Sequence, residues 1–142
     1  MSPRLSKEEA WRVLTDAHTG ILTTLTADGT PIALPMWFVT LDERIYVLTP
    51  ERTKKVARVK HNPRVSFLVE SGKRWTDLQA VHLTGHARIV DDDALRARVR
   101  KTLDQKYAGF RTEGGDRNVD GVVFALIEIT PDDRFLTWDN RR

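Results

Sequence analysis

Apolar and polar side chains alternate over most of this chain, and stretches with helical spacing separate the alternating segments. Alternation is typical of β-strands, because successive side chains of a strand point to opposite faces of the sheet. It predicts a series of strands, followed by a turn at 131–133 and a last segment that ends at Trp138. The predicted strands cover residues 20–26, 31–40, 45–49, 65–69, 80–90 and 122–130.

Turn residues join the first two of these strands. Asp28 and Gly29 form a dipeptide that favours a tight hairpin. Pro31 and Pro35 lie in the returning strand and have no N–H to donate. We therefore expect that strand to have an unpaired or bulged side.

Helical spacing predicts three helices. The first runs to about Ala17 from a capping box that starts at Ser6. The second covers 53–61, with Thr53 as its N-cap and with Val56 and Val59 facing inward.

The third helix follows three consecutive aspartates at positions 91–93. We interpret these carboxylates as caps that the helix dipole favours, rather than as a metal site. A polar, glycine-containing stretch over 108–119 predicts a mobile loop after this helix. The buried face of the helix is predicted to comprise Leu95, Val99 and Leu103.

These elements indicate a mainly β protein. Hairpin connections make antiparallel pairing the default, and closing the sheet into a barrel would remove its exposed edges. The length of 142 residues fits one domain over 1–142. We predict an antiparallel split barrel of six to seven strands, with a few helices added.

Composition narrows the classes of function. The chain contains no cysteine, which excludes disulfides, thiolate nucleophiles and cysteine-ligated metals. It contains no apolar run long enough for a membrane span and no apolar leader pattern, so we expect a cytoplasmic protein without a membrane partner. An apolar share of 40% is a slim core for a barrel with a cleft, which favours burial against a partner subunit.

The net charge of +3 is compatible with an anionic ligand but weaker than a nucleic-acid binder requires. A single-strand nucleic-acid module would also need exposed aromatic side chains among basic ones. The alternation places Tyr46, Phe67 and Phe124 in the core instead. We therefore expect no nucleic-acid partner.

The strongest candidate chemistry lies where a strand leads into the second helix, over residues 51–58. Free amides and the dipole of a helix N-terminus favour an anion, and Arg52 and Lys55 would complete a phosphate site. The alternative is that the cations of this helix only solvate an exposed face. The residues alone leave both possibilities open.

The histidines and serines of the chain are weaker candidates for metal binding and catalysis. His82 and His86 share one face of a predicted strand, but two histidines without a third ligand are more typical of a surface or interface than of a metal site. Ser66 and Ser71 have no recognisable histidine and aspartate partners, which argues against hydrolysis. We therefore predict no metal site and no catalytic side chain.

Several segments taken together resemble one known family. The chain is similar in order, and over nearly its whole length, to the pyridoxamine-phosphate-oxidase-like family of FMN-binding split barrels. The segments that carry this resemblance are 19–24, 28–31, 35–38, 53–56, 62–65, Trp75, 83–87, 129–131 and Trp138.

The resemblance implies a site for FMN or for the deazaflavin coenzyme F-420 at a homodimer interface. Trp75 and Trp138 would line the pocket, one of them from the partner subunit, although a structural role explains each equally well. The resemblance leaves the choice between Lys54 and Lys55 open, with Lys55 preferred. The backbone along the ring would be that of Pro35, Met36 and Trp37, and the phosphate would be held by Thr49, Arg52, Thr53 and Lys55, with Lys54 nearby.

The implied function is a flavin- or deazaflavin-dependent oxidoreductase that transfers a hydride between the cofactor and a small organic substrate. In such enzymes the cofactor carries the chemistry, so the missing catalytic side chain is no obstacle. The arginine-rich composition slightly favours the deazaflavin branch. Two alternatives remain: a non-catalytic flavin carrier of the same fold, and a pyridoxamine-phosphate oxidase proper. The second alternative lacks residues for another phosphate.

Overall fold

The computed structural model describes residues 3–111 and 121–142. Within these ranges, three helices and seven strands account for most of the chain. The helices are α1 (Lys7–Asp16), α2 (Lys54–His61) and α3 (Asp93–Tyr107). The strands are β1 (Gly20–Leu25), β2 (Pro31–Met36), β3 (Val39–Leu41), β4 (Arg44–Pro50), β5 (Arg64–Ser71), β6 (Gln79–Val90) and β7 (Phe124–Asp139).

All seven strands form one antiparallel sheet with the order β2-β1-β5-β6-β7-β4-β3. The mainly β, antiparallel split barrel is therefore confirmed, with seven strands. The expected closure into a full barrel is wrong, because β2 and β3 remain as edges and no ladder joins them within the described ranges. The two prolines of β2 cannot donate to a further strand, which suits an edge position.

The helix starts agree with the sequence. Ser6 and Glu9 form the predicted capping box of α1, and Asp92 caps α3 by accepting from the amide of Leu95. In α2, Val56 and Val59 are buried as predicted. These signals are local, and local hydrogen bonds account for them.

The predicted strand over 31–40 is interrupted. β2 ends at Met36 and β3 begins at Val39, so Trp37 and Phe38 lie outside both ladders. The backbone of Phe38 bonds to Tyr107 of α3 instead of to a neighbouring strand. We refer to Trp37 and Phe38 as the β2–β3 break.

The turn predicted at 131–133 is wrong. β7 continues through these residues to Asp139, and its pairing with β6 shifts register between Leu83 and Gly85. A bulge absorbs the extra residues of β7 at this point. The absence of a side chain at Gly85 permits this packing, since a Cβ there would lie 2.5 Å from the carbonyl oxygen of Thr130.

The core has two parts. The first fills the barrel interior, where Leu14 of α1 and Val56 of α2 pack against the strands. The second lies between the outer face of the sheet and α3, where Val99, Leu103 and Tyr107 are buried. Leu95 is partly buried at the edge of this second cluster.

The described helices are all too short or too polar to cross a bilayer. After α3, residues 108–110 form a 3-10 turn, whereas most of the loop predicted over 108–119 lies outside the described residues.

Candidate cofactor site

The junction between β4 and α2 is ordered by its own backbone. The side chain of Thr49 is buried in β4, and the strand ends at Pro50, whose carbonyl accepts from the amide of Thr53 at 3.2 Å. The amide of Glu51 donates to the carbonyl of Val123 at 2.9 Å, which ties the junction to the chain before β7. The helix N-terminus is therefore held at the end of the sheet.

The hydroxyl of Thr53 is the most unusual atom of this junction. Thr53 occupies the predicted N-cap position, but its side chain makes no capping hydrogen bond. Its Oγ1 atom is buried and has no hydrogen-bond partner. Buried polar atoms are nearly always paired, so a hydroxyl of this kind at a helix N-terminus is suited to an anion such as a phosphate.

Lys55 lies on the first turn of the same helix and is half-buried. Burial, followed by the positive charge of Arg58, lowers the pKa of Lys55 below its usual value. Arg58 itself donates from Nε to the buried Thr24 hydroxyl at 2.6 Å. In the described ranges no carboxylate forms an ion pair with Lys55, so an anionic ligand would supply the missing countercharge.

The other two cations of the junction differ from Lys55. Arg52 and Lys54 are exposed. This contrast favours Lys55 over Lys54 as the contact to an anion, and the assignment stays a prediction.

The β2–β3 break is held by α3. The Tyr107 hydroxyl lies 2.7 Å from the carbonyl oxygen of His18 and 2.9 Å from both the amide nitrogen and the carbonyl oxygen of Phe38. Its ring stacks on the Trp37 indole with 4.2 Å between centroids and 3° between planes. Tyr107 thus fixes both the backbone and the side chain of the break.

Lys106 supports the same segment. Its Nζ atom donates to the Phe38 carbonyl at 3.0 Å and lies 3.9 Å from the centroid of the Phe38 ring. Burial lowers the pKa of Lys106 to about 8, against an opposing effect of Asp16. The carbonyl oxygen of Phe38 therefore lies within hydrogen-bond distance of two side chains of α3, the Lys106 ammonium and the Tyr107 hydroxyl.

Strand register relates the break to the junction. Val39, the first residue after the break, pairs with Tyr46 of β4, the strand that contains Thr49 and leads to the junction. Trp37 and Leu48 also pack against the same cluster. Of the predicted ring-lining residues, Trp37 therefore packs in the same cluster as the strand that leads to the junction, whereas Pro35 and Met36 lie in β2 and pair with Ile21 and Gly20 of β1.

Trp75 and Trp138 form a pair elsewhere. Their rings meet edge to face at 6.0 Å, and Trp75 is 70% exposed and Trp138 46% exposed. Trp138 pairs with Ala80 at the far end of β7, whereas Ala125 at its start pairs with Thr49. Within the described residues neither tryptophan has a ring contact or a hydrogen bond with a residue of the junction: Trp138 bonds to Asn140, which bonds to the carbonyl of Trp75. Within one subunit, the tryptophans are therefore not part of the junction.

The tryptophan pair belongs to an uncovered face of the sheet. Leu136 lies on the same side of β7 as Trp138 and is 71% exposed. Adjacent positions of β5 and β6 on this side include Leu68, Ala80 and His82. We call this surface, with Trp75, Leu136 and Trp138 at its centre, the open face.

The two predicted surface histidines lie on the outer side of β6. His86 Nδ1 is 3.6 Å from Oδ1 of Asp132, and Oδ2 of the same carboxylate accepts from Thr84 and Arg64. The part of the chain that the structure describes contains no group of three or more histidine, cysteine or carboxylate side chains suited to a metal ion.

Sequence reasoning missed two residues of this region. Tyr107 continues the predicted buried face of α3 by one more turn, and that spacing was sufficient to find it. His18 follows α1 and gives no pattern in the sequence. In the structure its imidazole lies within 6.0 Å of the rings of three aromatic residues, Trp37, Tyr107 and Phe110.

Solved structures of other proteins share this fold. A conserved hypothetical protein from Mycobacterium tuberculosis is 28% identical with a TM-score of 0.83, covering 99% of this chain and 91% of that one. An F420 reductase is 25% identical with a TM-score of 0.68, covering 88% and 94%. HutZ, a heme storage protein from Vibrio cholerae, is 19% identical with a TM-score of 0.74, covering 96% and 98%, which shows the fold alone.

No curated protein matches the sequence. The family model described as pyridoxamine 5'-phosphate oxidase matches residues 6–136, which is most of the chain. The split-barrel architecture and the order of its elements agree with that match. The chain therefore belongs to the pyridoxamine 5'-phosphate oxidase family.

Proposed function

We propose that this protein is a flavin- or deazaflavin-dependent oxidoreductase that acts as a homodimer on a small organic substrate. The observation that carries the proposal is the β4–α2 junction, where the buried, unpartnered hydroxyl of Thr53 lies next to Lys55. Both fit the phosphate that FMN and coenzyme F-420 have in common. The fold by itself does not decide the cofactor, because a heme storage protein shares it.

In this proposal the junction holds the phosphate and the β2–β3 break supports the ring. Thr49, Thr53 and Lys55 would contact phosphate oxygens, and Arg52 and Lys54 would screen the charge from solvent. The backbone of Pro35, Met36 and Trp37 would run along the ring. When bound, the cofactor supplies hydride transfer, and the protein positions it and excludes water.

The position of the tryptophans supports the proposed homodimer. Trp75 and Trp138 make no contact with the junction of their own subunit among the described residues, so in this proposal they would reach the cofactor across an interface. A twofold axis pairs a surface with itself, and the open face exposes Leu136 and both tryptophans for such a contact. Exposed apolar clusters of this kind typically mark interaction sites.

Among the possible cofactors we favour the deazaflavin. The likeness to an F420 reductase extends over most of both chains. Activity as a pyridoxamine-phosphate oxidase proper would need a second cluster of basic and hydroxyl groups for the substrate phosphate, and the sequence offers no such cluster.

The first experiment is a pair of fluorescence titrations of the purified protein with FMN and with coenzyme F-420. We expect micromolar or tighter binding of at least one of them, with the deazaflavin tighter. Binding without turnover of any acceptor would favour the carrier alternative. If neither cofactor binds at micromolar concentrations, the proposal is wrong.

The junction itself is tested by Lys55→Ala. A lost charge-assisted phosphate contact should weaken cofactor binding by about 1–3 kcal/mol. Lys60→Ala is the matched control, because Lys60 is an exposed lysine toward the other end of α2. Equal cofactor affinities of the two variants would show that Lys55 does not contact the phosphate of the cofactor.

A further inference from the structure

The open face contains a row of side chains that crosses five strands of the sheet. Residues that pair directly in an antiparallel sheet point their side chains to the same side, so the strand register defines the row. One histidine lies in it, with apolar residues on both sides. The members of the row, in order from β2 to β7, are Pro35, Ile21, Leu68, His82 and Leu136.

His82 is the ionisable member of this row. It is half-buried, and its direct partners in the ladders are Leu68 of β5 and Leu136 of β7. Among the described residues its imidazole has no hydrogen bond and no ion pair. Water therefore solvates the ring while the open face is exposed, and a second subunit that covers the face would remove that water.

We propose that protonation of His82 weakens the contact between two subunits at the open face, so that the dimer responds to pH. This inference rests on the homodimer of the proposed function. A histidine changes its charge between about pH 5 and pH 8, which no other type of side chain does without perturbation. A neutral imidazole can be covered by leucine side chains at modest cost, whereas an unpaired imidazolium is strongly disfavoured there.

The direction of the pH dependence follows from the number of bound protons. In the separate subunits His82 is solvated and binds a proton at acid pH, whereas the dimer excludes the charged form. Dissociation therefore takes up protons, and a fall in pH favours it by up to about tenfold for each His82 and each pH unit. Because the proposed cofactor site is shared by two subunits, cofactor would be released at acid pH as well.

Several other charged groups lie on the same region of the surface. Glu70 is diagonal to His82 across the β5–β6 ladder and is exposed, so its carboxylate favours the protonated histidine in the separate subunit. His86 already has a carboxylate partner in Asp132. The full set is Arg64 and Glu70 on β5, His86 on β6, Asp132 and Arg134 on β7, and Arg74 with Asp77 at the turn that carries Trp75.

The test measures the dimer dissociation constant of the purified protein, without cofactor, by analytical ultracentrifugation at pH 7.5 and pH 5.5. We expect the constant to rise by about tenfold or more at the lower pH, while circular dichroism shows that the subunits stay folded. In His82→Gln it should change by less than about threefold. Equal dissociation constants of the wild type at both pH values would overturn the inference and leave the proposed function intact.

Two matched variants assign the effect to one side chain. His86→Gln removes the next histidine of β6, and Glu70→Gln removes the diagonal carboxylate. Both variants should keep the response of the wild type to pH. Loss of the response in one of them, together with a normal response in His82→Gln, would overturn the inference. A wild type that is monomeric at both pH values would contradict the homodimer and thereby the proposed function itself.

Proton uptake provides a second readout, which a merely structural role of His82 would not affect. At pH 6.5 the heat of dissociating the dimer by dilution should differ between phosphate and bis-Tris buffers, because the buffer supplies the protons that His82 binds. The two heats should agree for His82→Gln. Equal heats of the wild type in both buffers would overturn the inference.

Discussion

A single hydroxyl group connects α3 to two separate backbone segments at the proposed ring site. Tyr107 has one hydroxyl proton, so it donates to the carbonyl of His18 or of Phe38 and accepts from the Phe38 amide. Burial raises the pKa of Tyr107 above its ordinary value, which keeps that proton in place at neutral pH. The position of Trp37 therefore depends on this hydroxyl as well as on ring stacking.

Tyr107→Phe tests that dependence. The substitution leaves the buried amide of Phe38 without its acceptor, so we expect the free energy of unfolding in urea to fall by about 1–3 kcal/mol. The indole N–H signal of Trp37 should also shift. Tyr46→Phe is the control, because it removes another buried hydroxyl, which bonds to Glu128 at 2.9 Å and not to the backbone of the break. A Trp37 signal that moves equally in both variants would contradict the assigned role.

The buried ammonium group of Lys106 determines how one part of the free energy of unfolding depends on pH. Its pKa is lowered to about 8 in the folded protein, below the usual lysine value, so the unfolded chain binds more protons between these two pH values. The stability of the wild type should therefore rise with pH over that interval, relative to Lys106→Met. Urea unfolding of both proteins from pH 7 to pH 10 measures the difference. A difference that stays constant or falls would contradict the burial of this ammonium group.

At the scale of elements, local signals were sufficient for the helices. The caps of α1 and α3 and the inward valines of α2 depend on neighbours within a few residues, and the sequence predicted them. The β2–β3 break depends instead on Tyr107, which lies about seventy positions further along the chain. Propensity favours one strand through Trp37, and a tertiary contact overrides it.

The sequence did not predict that β7 continues through residues 131–133, for a similar reason. Pro131 followed by two aspartates is a strong turn signal in isolation. In the folded chain the bulge accommodates these residues, and the carboxylate of Asp132 accepts from the Thr84 hydroxyl at 2.7 Å. The sequence alone does not reveal that Gly85 lies opposite.

Gly85→Ala tests this packing. Its Cβ would lie 2.5 Å from a backbone oxygen, so the two longest strands would have to move apart. We expect a loss of about 1–3 kcal/mol in the free energy of unfolding, measured in urea. Gly109→Ala is the matched control, since nothing lies within 4 Å of the Cβ added there. Similar stability of both variants would show that the bulge tolerates a side chain.

The candidate site was predictable only in part. The junction has a local pattern, a strand followed by a hydroxyl and cations at a helix start, and the structure adds the unpartnered Thr53 atom. His18 and Tyr107 are brought to the break by tertiary packing. The proposed contribution of Trp75 and Trp138 would require a second chain, which the sequence of one chain does not show.

At the scale of the whole molecule, the positions of the proposed site residues along β7 support a site shared by two subunits. The junction and the tryptophans lie at opposite ends of that strand. A dimer that buries the open face would remove Leu136, Trp75 and Trp138 from solvent together. Folding and cofactor binding would then both depend on protein concentration.

Leu136→Arg tests the interface. A buried, unpaired charge at its centre should make the protein monomeric in sedimentation-velocity experiments and should reduce cofactor affinity at the same time. Gln105→Arg adds the same charge on the exposed side of α3 and should leave the dimer intact. If Leu136→Arg sediments like the wild type, the open face is not the contact between subunits.

The most direct test of a shared site combines two defective variants. Lys55→Ala and Trp138→Ala homodimers should each bind the cofactor weakly, whereas a mixed dimer contains one site with both residues intact. We predict that titration of the purified mixed dimer finds wild-type affinity at half of the sites. Two weak sites in the mixed dimer would contradict a cofactor held at the β4–α2 junction of one subunit and covered by the tryptophans of the other.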